Sequence, residues 1–277
     1  MNLVEYEQLK FRLGDLLRTL SERAKASDWQ ESVGDRLRAF AITLAEDNFG
    51  LMVWGDIGHG RTSLINALLG AKVLPTDTAL PTRIACSLAY GDKEGVLLEQ
   101  TGGGRHLDSL TELAAQWDDP GAARRVTSAE IKAPAETLRQ GFRFVDCDRP
   151  TATGLNHSGS EHAASIDAYL LVVSYPGPLD SDALDCLGSS DPGRTLIVLN
   201  KHDTAEIDAR VACLARLRGQ VAGRLGGTVP DVFSVSARAG LAAKLAHDPA
   251  ALQASGMLPL EGALVNLVVS EKIGKVL

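Results

Sequence analysis

Three features are missing from this chain, and each absence removes a class of protein. Its four cysteines, Cys86, Cys147, Cys186 and Cys213, share no paired spacing. They indicate neither a disulfide framework nor a metal site and read as free thiols in a reducing compartment. Basic residues do not dominate: 28 lysines and arginines stand against 35 aspartates and glutamates, for a net charge of −7. That balance speaks against nucleic acid as a bulk partner. Long apolar runs are absent too. The longest, at 168–174 and 195–200, are strand-sized and fall far short of the roughly 20 residues of a membrane span. The first residues, Met-Asn-Leu-Val-Glu-Tyr-Glu, show no basic region followed by an apolar block. No secretion signal is visible, and a cytoplasmic location is expected.

What is present suits one large α/β domain with helical additions: 277 residues, 45% apolar and 23% charged. Residues 2–47 read as helical. Leu3, Tyr6, Leu9, Leu13, Leu16, Leu17 and Leu20 recur at three- and four-residue steps and form one apolar stripe. The stripe is expected to pack against the last helix, where Leu260, Leu264, Leu267 and Val268 offer a matching face. A break near Ser27 and Asp28 precedes a second helical pattern over 33–44. Strands are expected over 49–54, 84–90, 95–100, 125–131, 142–145, 168–174, 196–200 and 231–235. Helices are expected over 62–69, 107–117, 180–187, after Asp203, near 241–245 and over 259–276. Strands alternating with helices predict a doubly wound, mostly parallel sheet.

Residues 55–63 read Gly-Asp-Ile-Gly-His-Gly-Arg-Thr-Ser. This fits the phosphate-binding pattern G-x-x-x-x-G-K-[ST] everywhere except Arg61, which stands at the lysine. The glycines, Gly55, Gly58 and Gly60, let backbone N–H groups of the loop, from Asp56 through His59 to Ser63, turn toward phosphate oxygens at a helix N-terminus. The hydroxyl of Thr62 stands where such loops hold Mg²⁺. A strand before the loop and a helix after it give the motif its required context.

A second motif, Asn200-Lys201-His202-Asp203, follows a buried strand. A carboxylate at Asp203 can accept hydrogen bonds from N1 and N2 of guanine, donors that adenine lacks at that edge. The stem of Lys201 can cover the base, and Asn200 can tie neighbouring loops together. After the last strand, Ser236 and Ala237 stand where backbone N–H groups meet the guanine O6.

Together these motifs resemble the GTPase domain of a bacterial dynamin-like protein. Thr62-Ser-Leu-Ile-Asn-Ala-Leu-Leu-Gly70 followed by Val73-Leu-Pro-Thr76 is similar to that family's first helix and first switch. Tyr90-Gly-Asp92, the run from Pro134 through Gly141 into Phe144-Val-Asp146, and Ser255-Gly256 before the last helix follow the same layout. The resemblance extends over nearly the whole chain. It implies an N-terminal neck segment at 1–47, a dynamin-type G domain at 48–256 and a C-terminal neck helix at 257–277. It implies GTP or GDP as ligand and Mg²⁺ held by Thr62, Thr82 and, through water, Asp146. Arg61, Thr82 and Asp146 would be the catalytic positions. The resemblance further implies a homodimer or heterodimer across the nucleotide face and a dynamin-like partner. Membrane remodelling would run through a stalk outside this chain, with peripheral association at the inner face of the membrane.

The chain departs from the pattern around the γ-phosphate. Arginine's planar fork is larger than the lysine ammonium and prefers bidentate partners. Gly58 replaces a serine that donates a hydrogen bond between the phosphates in the family. Asp146-Cys-Asp-Arg149 replaces Asp-x-Pro-Gly, so Arg149 stands where a glycine gives a backbone N–H and lets the loop move. Loss of one well-placed donor can lower a rate by roughly 10²–10³. Two expectations follow: a GTP phosphohydrolase, or a non-hydrolysing nucleotide-binding module that regulates or scaffolds an active partner.

Overall fold

A computed structural model of the chain describes residues 3–26, 33–38, 41, 49–76, 85–100, 103–107, 109–110, 112, 126–147, 166–177, 179–226 and 229–274. The chain divides into two compact units, Gly50–Leu260 and a second made of Met1–Phe49 with Glu261–Leu277.

The larger unit is built on β1 (Phe49–Trp54), β2 (Ala85–Tyr90), β3 (Gly95–Gln100), β4 (Gly103–Leu107), β5 (Val126–Ala133), β6 (Phe142–Cys147), β7 (Ala168–Ser174), β8 (Thr195–Asn200) and β9 (Asp231–Ser234). They form one sheet in the order β4-β3-β5-β2-β6-β1-β7-β8-β9. From β1 outward through β7, β8 and β9 every pairing is parallel, with Val53 opposite Leu170 and Val173 opposite Leu199. On the other side the sheet is mixed. β2 runs parallel to β5 but antiparallel to β6, and β3 is antiparallel to both β4 and β5. The expected mostly parallel sheet is thus a parallel half joined to a mixed half.

Every residue of β1 and β8 is buried, as expected of parallel strands covered on both faces. Alternate residues supply the two layers. Met52, Trp54, Leu171, Val173, Ile197 and Leu199 face one core with Ala183 and Leu187 of α4 (Ser181–Gly188) and Cys213, Leu217 and Val221 of α5 (Ile207–Leu225). Here α2 is Arg61–Leu69 and α3 the short Glu136–Arg139. Three further helices close this part of the chain: α6 (Ala237–Leu245), α7 (Pro249–Ala254) and α8 (Met257–Gly274). Leu64, Ile65 and Leu68 of α2 are fully buried. The C-terminal end of α2 is fixed by Gly70 in the left-handed region and by Nζ of Lys244, which donates to Ala67 O at 2.7 Å. That cation lies where the helix dipole is negative.

Several expected elements shift. The helix proposed from 107 does not begin there, because Gly103–Leu107 pairs as a strand against β3; residues 108, 111 and 113–117 of it lie outside the described residues. The second helical pattern, expected over 33–44, is described as helix at 33–38 and at 41. The helix α1 (Leu3–Ala26) forms as the periodicity predicts, but among its described side chains the buried positions are Leu17, Ser21 and Ala24. Leu9, Leu13, Leu16 and Leu20 of the expected stripe are exposed by 52%, 38%, 54% and 41%. The apolar surface of α1 is therefore wider than the seam it buries. On α8, Leu260, Leu264, Val265 and Val268 are buried. No helix among the described residues is long and apolar enough to cross a membrane.

Candidate functional site

Because β1, β7, β8 and β9 are parallel, the loops after β1, β8 and β9 emerge at one edge of the sheet, where ligands of α/β sheets bind. The loop after β1 turns on three glycines with positive φ: Gly55 at 145°, Gly58 at 82° and Gly60 at 85°. A Cβ on Gly55 would overlap the carbonyl oxygen of Val172 on β7, so only glycine lets the loop leave the strand so close to its neighbour. The turn is closed by His59 N donating to Asp56 O at 3.2 Å. The His59 ring reaches Val172 O through Nδ1 at 3.2 Å. A small recess lies beside the loop, bordered by Trp54, Asp56, His59, Leu179 and Asp180. The indole Nε1 of Trp54 is buried beneath it with no hydrogen-bond partner.

Arg61 opens α2 and is 4% exposed. Its side chain turns inward. Nε donates to Asp146 Oδ1 at 2.9 Å, and a terminal nitrogen donates to the Gly55 carbonyl oxygen. The hydroxyl of Thr62 donates to the other carboxylate oxygen, Asp146 Oδ2, at 3.1 Å. Asp146 is itself buried near the end of β6. Arg61 and Thr62 are adjacent in sequence and so grip one carboxylate from both sides. Removing one member of a buried ion pair typically destabilises a fold by about 3–5 kcal/mol. Across the β2–β6 pairing, Cys86 sits opposite Asp146. Burial, reinforced by the Asp146 charge, pushes the Cys86 thiol up to about 12.

The loop after β8 is tied to the glycine-rich loop by Asn200, which is 2% exposed. Its Nδ2 donates to His59 O at 3.0 Å and to Gly60 O at 3.4 Å. Its Oδ1 accepts from Lys201 N at 2.8 Å and from Ala237 N at 3.0 Å. One buried amide therefore joins three loops. Lys201 adopts a φ of 64° and sends Nζ across the glycine-rich loop to Gly58 O at 2.6 Å. Asp203 lies in the 3₁₀ turn His202–Thr204 with its side chain exposed. Beside it, His202 is buried and approaches Ser234 Oγ through Nδ1 at 3.3 Å. Burial and the Arg210 charge hold the imidazole below its ordinary value.

Ser236 and Ala237 differ from expectation. Ser236 caps α6 through Oγ, which accepts from Ala239 N at 3.2 Å, and its own N–H donates to Ser255 O at 2.9 Å. The N–H of Ala237 goes to Asn200. Both backbone donors expected for a base oxygen are engaged within the protein. Asp203, expected to read the base, is exposed. Thr82, Arg149 and the segment 154–156 lie outside the described residues.

Three contributors to this region carry no motif. Val172 forms the floor under the glycine-rich loop. Asn66, buried on α2, accepts from Val73 N and Leu74 N through Oδ1 and donates to Leu74 O through Nδ2 at 2.7 Å. It thereby fixes the backbone that leads toward 77–84. Lys244 anchors the far end of α2. An asparagine within an apolar helical run, one turn before a proline-containing loop, was the signal available for Asn66; Val172 and Lys244 had none.

The fold has solved counterparts. A structure of an oligomerised bacterial dynamin pair, described as providing a mechanism for long-range sensing and tethering of membranes, superposes with a TM-score of 0.74 at 18% identity, over 98% of this chain and 53% of that one. A mixed, largely parallel α/β sheet flanked by helices is the architecture of the dynamin-type G domain. The Dynamin family matches residues 51–201, more than half of the chain, and the chain belongs to that family. A bacterial dynamin-like protein of Nostoc punctiforme is 27% identical over 143 residues, 45% of this chain and 20% of its own length. Dynamin-like protein 2 of Campylobacter jejuni is 23% identical over 161 residues, 58% of this chain and 25% of its own. The chain thus spans about a fifth to a quarter of these relatives and about half of the solved structure. Family membership supports a nucleotide-binding, hydrolase-class function in general and implies nucleotide and Mg²⁺ use in general.

The side chains described here do not offer Mg²⁺ the arrangement anticipated for Thr62 and Asp146. Both oxygens of Asp146 accept hydrogen bonds from the chain's own donors, one of them a guanidinium. A divalent cation beside Thr62 would meet that positive charge at close range.

Proposed function

We propose that this chain binds guanine nucleotide at the carboxyl edge of its sheet and turns GTP over to GDP and phosphate slowly, as the head of a longer dynamin-like protein. The supporting observation is the Asn200 amide, which locks the glycine-rich loop to the loops after β8 and β9. A phosphate cradle and a base-reading carboxylate are useful together only when their spacing is fixed, and this side chain fixes it. In this reading the loop from Gly55 through Asp56, Gly58, His59, Gly60, Thr62 and Ser63 receives the phosphates. Asp203 reads the guanine edge, Lys201 lies against the base side of the loop, and Asn200, Ser236 and Ala237 hold the frame. Thr82 retains its proposed role at the first switch. Asp146 is held by Arg61, so no step is assigned to Mg²⁺.

Titration calorimetry of the purified chain with GDP, GTP, ADP and ATP tests the reading. Saturable binding of the guanine pair without the adenine pair is expected, and equal or absent binding overturns it. One observation favours the second reading, a non-hydrolysing module: Arg61 is drawn down onto Asp146, away from where a phosphate-loop lysine meets the β- and γ-phosphates. Single-turnover phosphate release separates the two. Release no faster than in buffer, with binding intact, establishes the module.

Dimerisation across the nucleotide face, a dynamin-like partner and membrane remodelling through a stalk outside this chain complete the proposal, with peripheral placement at the inner membrane face. The membrane-tethering pair among the solved structures is its support, and its warrant is fold analogy.

A further inference from the structure

The contact between Arg61 and Asp146 bears on how this chain manages charge. A nucleotide brings several negative charges to the glycine-rich loop, and in phosphate-binding loops a lysine and a divalent cation share their neutralisation. Here the Arg61 guanidinium is already fixed at the base of the loop. It is held by the Gly55 carbonyl oxygen at the loop's first residue and by Asp146 at 2.9 Å. Arginine does not lose its proton in a protein interior, so the pair with Asp146 is a permanent, charge-balanced one. It is also pre-positioned: the side chain is 4% exposed, and one of its anchors, Asp146, lies on β6. The carboxylate that would carry a metal's water shell is the same one the guanidinium occupies. Its second oxygen takes the Thr62 hydroxyl at 3.1 Å. A cation entering beside Thr62 would have to displace a buried hydrogen-bonded pair and would be repelled by the guanidinium.

We infer that the buried Arg61–Asp146 pair occupies the seat that a divalent cation would take beside Thr62, so that guanine nucleotide binds here without Mg²⁺. This rests on the guanine-nucleotide reading above. The residue change alone does not carry it, since an arginine at this position can also extend toward the phosphates. The inward turn onto Asp146 joins the arginine and the metal's expected support into one unit.

The test uses the full chain and N-methylanthraniloyl-GDP, followed by fluorescence at equilibrium, in saturating Mg²⁺ and in excess EDTA. Dissociation constants within about twofold of each other are expected, whereas an affinity about tenfold or more weaker in EDTA overturns the inference. Absence of binding in both buffers sinks the guanine-nucleotide reading and this inference with it, so the two failures are distinguishable. The variant Arg61→Lys provides the converse. A single ammonium on a shorter donor array cannot span Gly55 and Asp146 as the guanidinium does, so the carboxylate is released. Its affinity is then expected to fall by about tenfold or more on removing Mg²⁺. Mn²⁺ added with GDP is expected to give a bound-metal electron paramagnetic resonance signal in the variant and none in the parent. A variant as metal-insensitive as the parent, or a bound Mn²⁺ signal in the parent, overturns the inference. The comparison in the parent decides by itself where the variant does not fold.

Discussion

Gly60 and Asn200 meet only because the glycine has no side chain. A Cβ at Gly60 would overlap Nδ2 of Asn200, the same nitrogen that donates to His59 O at 3.0 Å. The two residues come from opposite ends of the domain, after β1 and at the end of β8. Their contact sets the distance between the loop proposed for phosphates and the turn that carries Asp203. The left-handed φ of 85° at Gly60 serves the same end by aiming the start of α2 at that turn.

Gly60→Ala is therefore expected to act twice, through the positive φ and through the collision. Backbone strain of this kind costs about 1–3 kcal/mol, and the collision requires the Asn200 amide to move. The midpoint of urea unfolding should fall accordingly, and calorimetry should find guanine-nucleotide binding lost. A variant with unchanged stability would show that the two loops are not in contact in solution.

Asn200→Ala removes the amide and leaves the N–H groups of Lys201 and Ala237 and the carbonyl of His59 without it. A buried polar group left unsatisfied costs about 1–3 kcal/mol, so a loss of about 2–3 kcal/mol is expected after relaxation. Urea unfolding measures it. Amide hydrogen exchange should speed up at Lys201 and Ala237 together, although they are far apart in sequence. Faster exchange at only one of them would contradict the three-loop clamp.

Much of this frame was legible in the residues, and the exceptions have physical causes. The strands at 95–100 and 168–174 appear at the expected bounds, because unbroken apolar or alternating runs between turn residues leave little else for the chain to do. The strand Gly103–Leu107 was not expected, because glycine has little strand propensity of its own, and only pairing with β3 makes this segment extended. The stripe on α1 showed which residues are apolar but not which are covered, since covering depends on what lies opposite. At the site, glycine spacing revealed the loop and Asn200-Lys-His-Asp203 the turn. The direction of Arg61 was not legible. A guanidinium at that position can reach either way, and the choice depends on Asp146, 85 residues further along the chain.

Asp203→Asn probes the proposed base contact by chemistry. Guanine presents two donors, N1–H and the exocyclic amine, to a carboxylate. An asparagine amide offers one acceptor and one donor, which suits xanthine, where a carbonyl replaces the amine. A hydrogen bond to a charged group is worth about 1.5–3 kcal/mol. GDP affinity is expected to fall by roughly 10- to 100-fold, while xanthosine diphosphate overtakes GDP in competition titration. An unchanged preference would place the base elsewhere.

The alkaline stability of the domain should depend on Cys86, which lies opposite Asp146 between buried strands. Its thiol is raised from the ordinary 9.0 to about 12 by burial and by that carboxylate. Below pH 9 both folded and unfolded chains keep the proton, and the residue is neutral to the balance. Above 9 the unfolded chain releases it while the folded chain holds it, so the unfolded state binds fewer protons and stability falls as pH rises. The slope from this one group approaches about 1.4 kcal/mol per pH unit until the folded value near 12 is reached. Cys86→Ala removes this dependence. Urea unfolding at about pH 8 and about pH 10 should show a smaller drop for the variant than for the parent, by about 1 kcal/mol or more. The same burial predicts that Cys86 resists alkylation in the folded protein and reacts after unfolding, while half-buried Cys147 and Cys186 react earlier. Equal pH slopes in parent and variant, or early labelling of Cys86, would show that the strand pairing beside Asp146 opens to solvent.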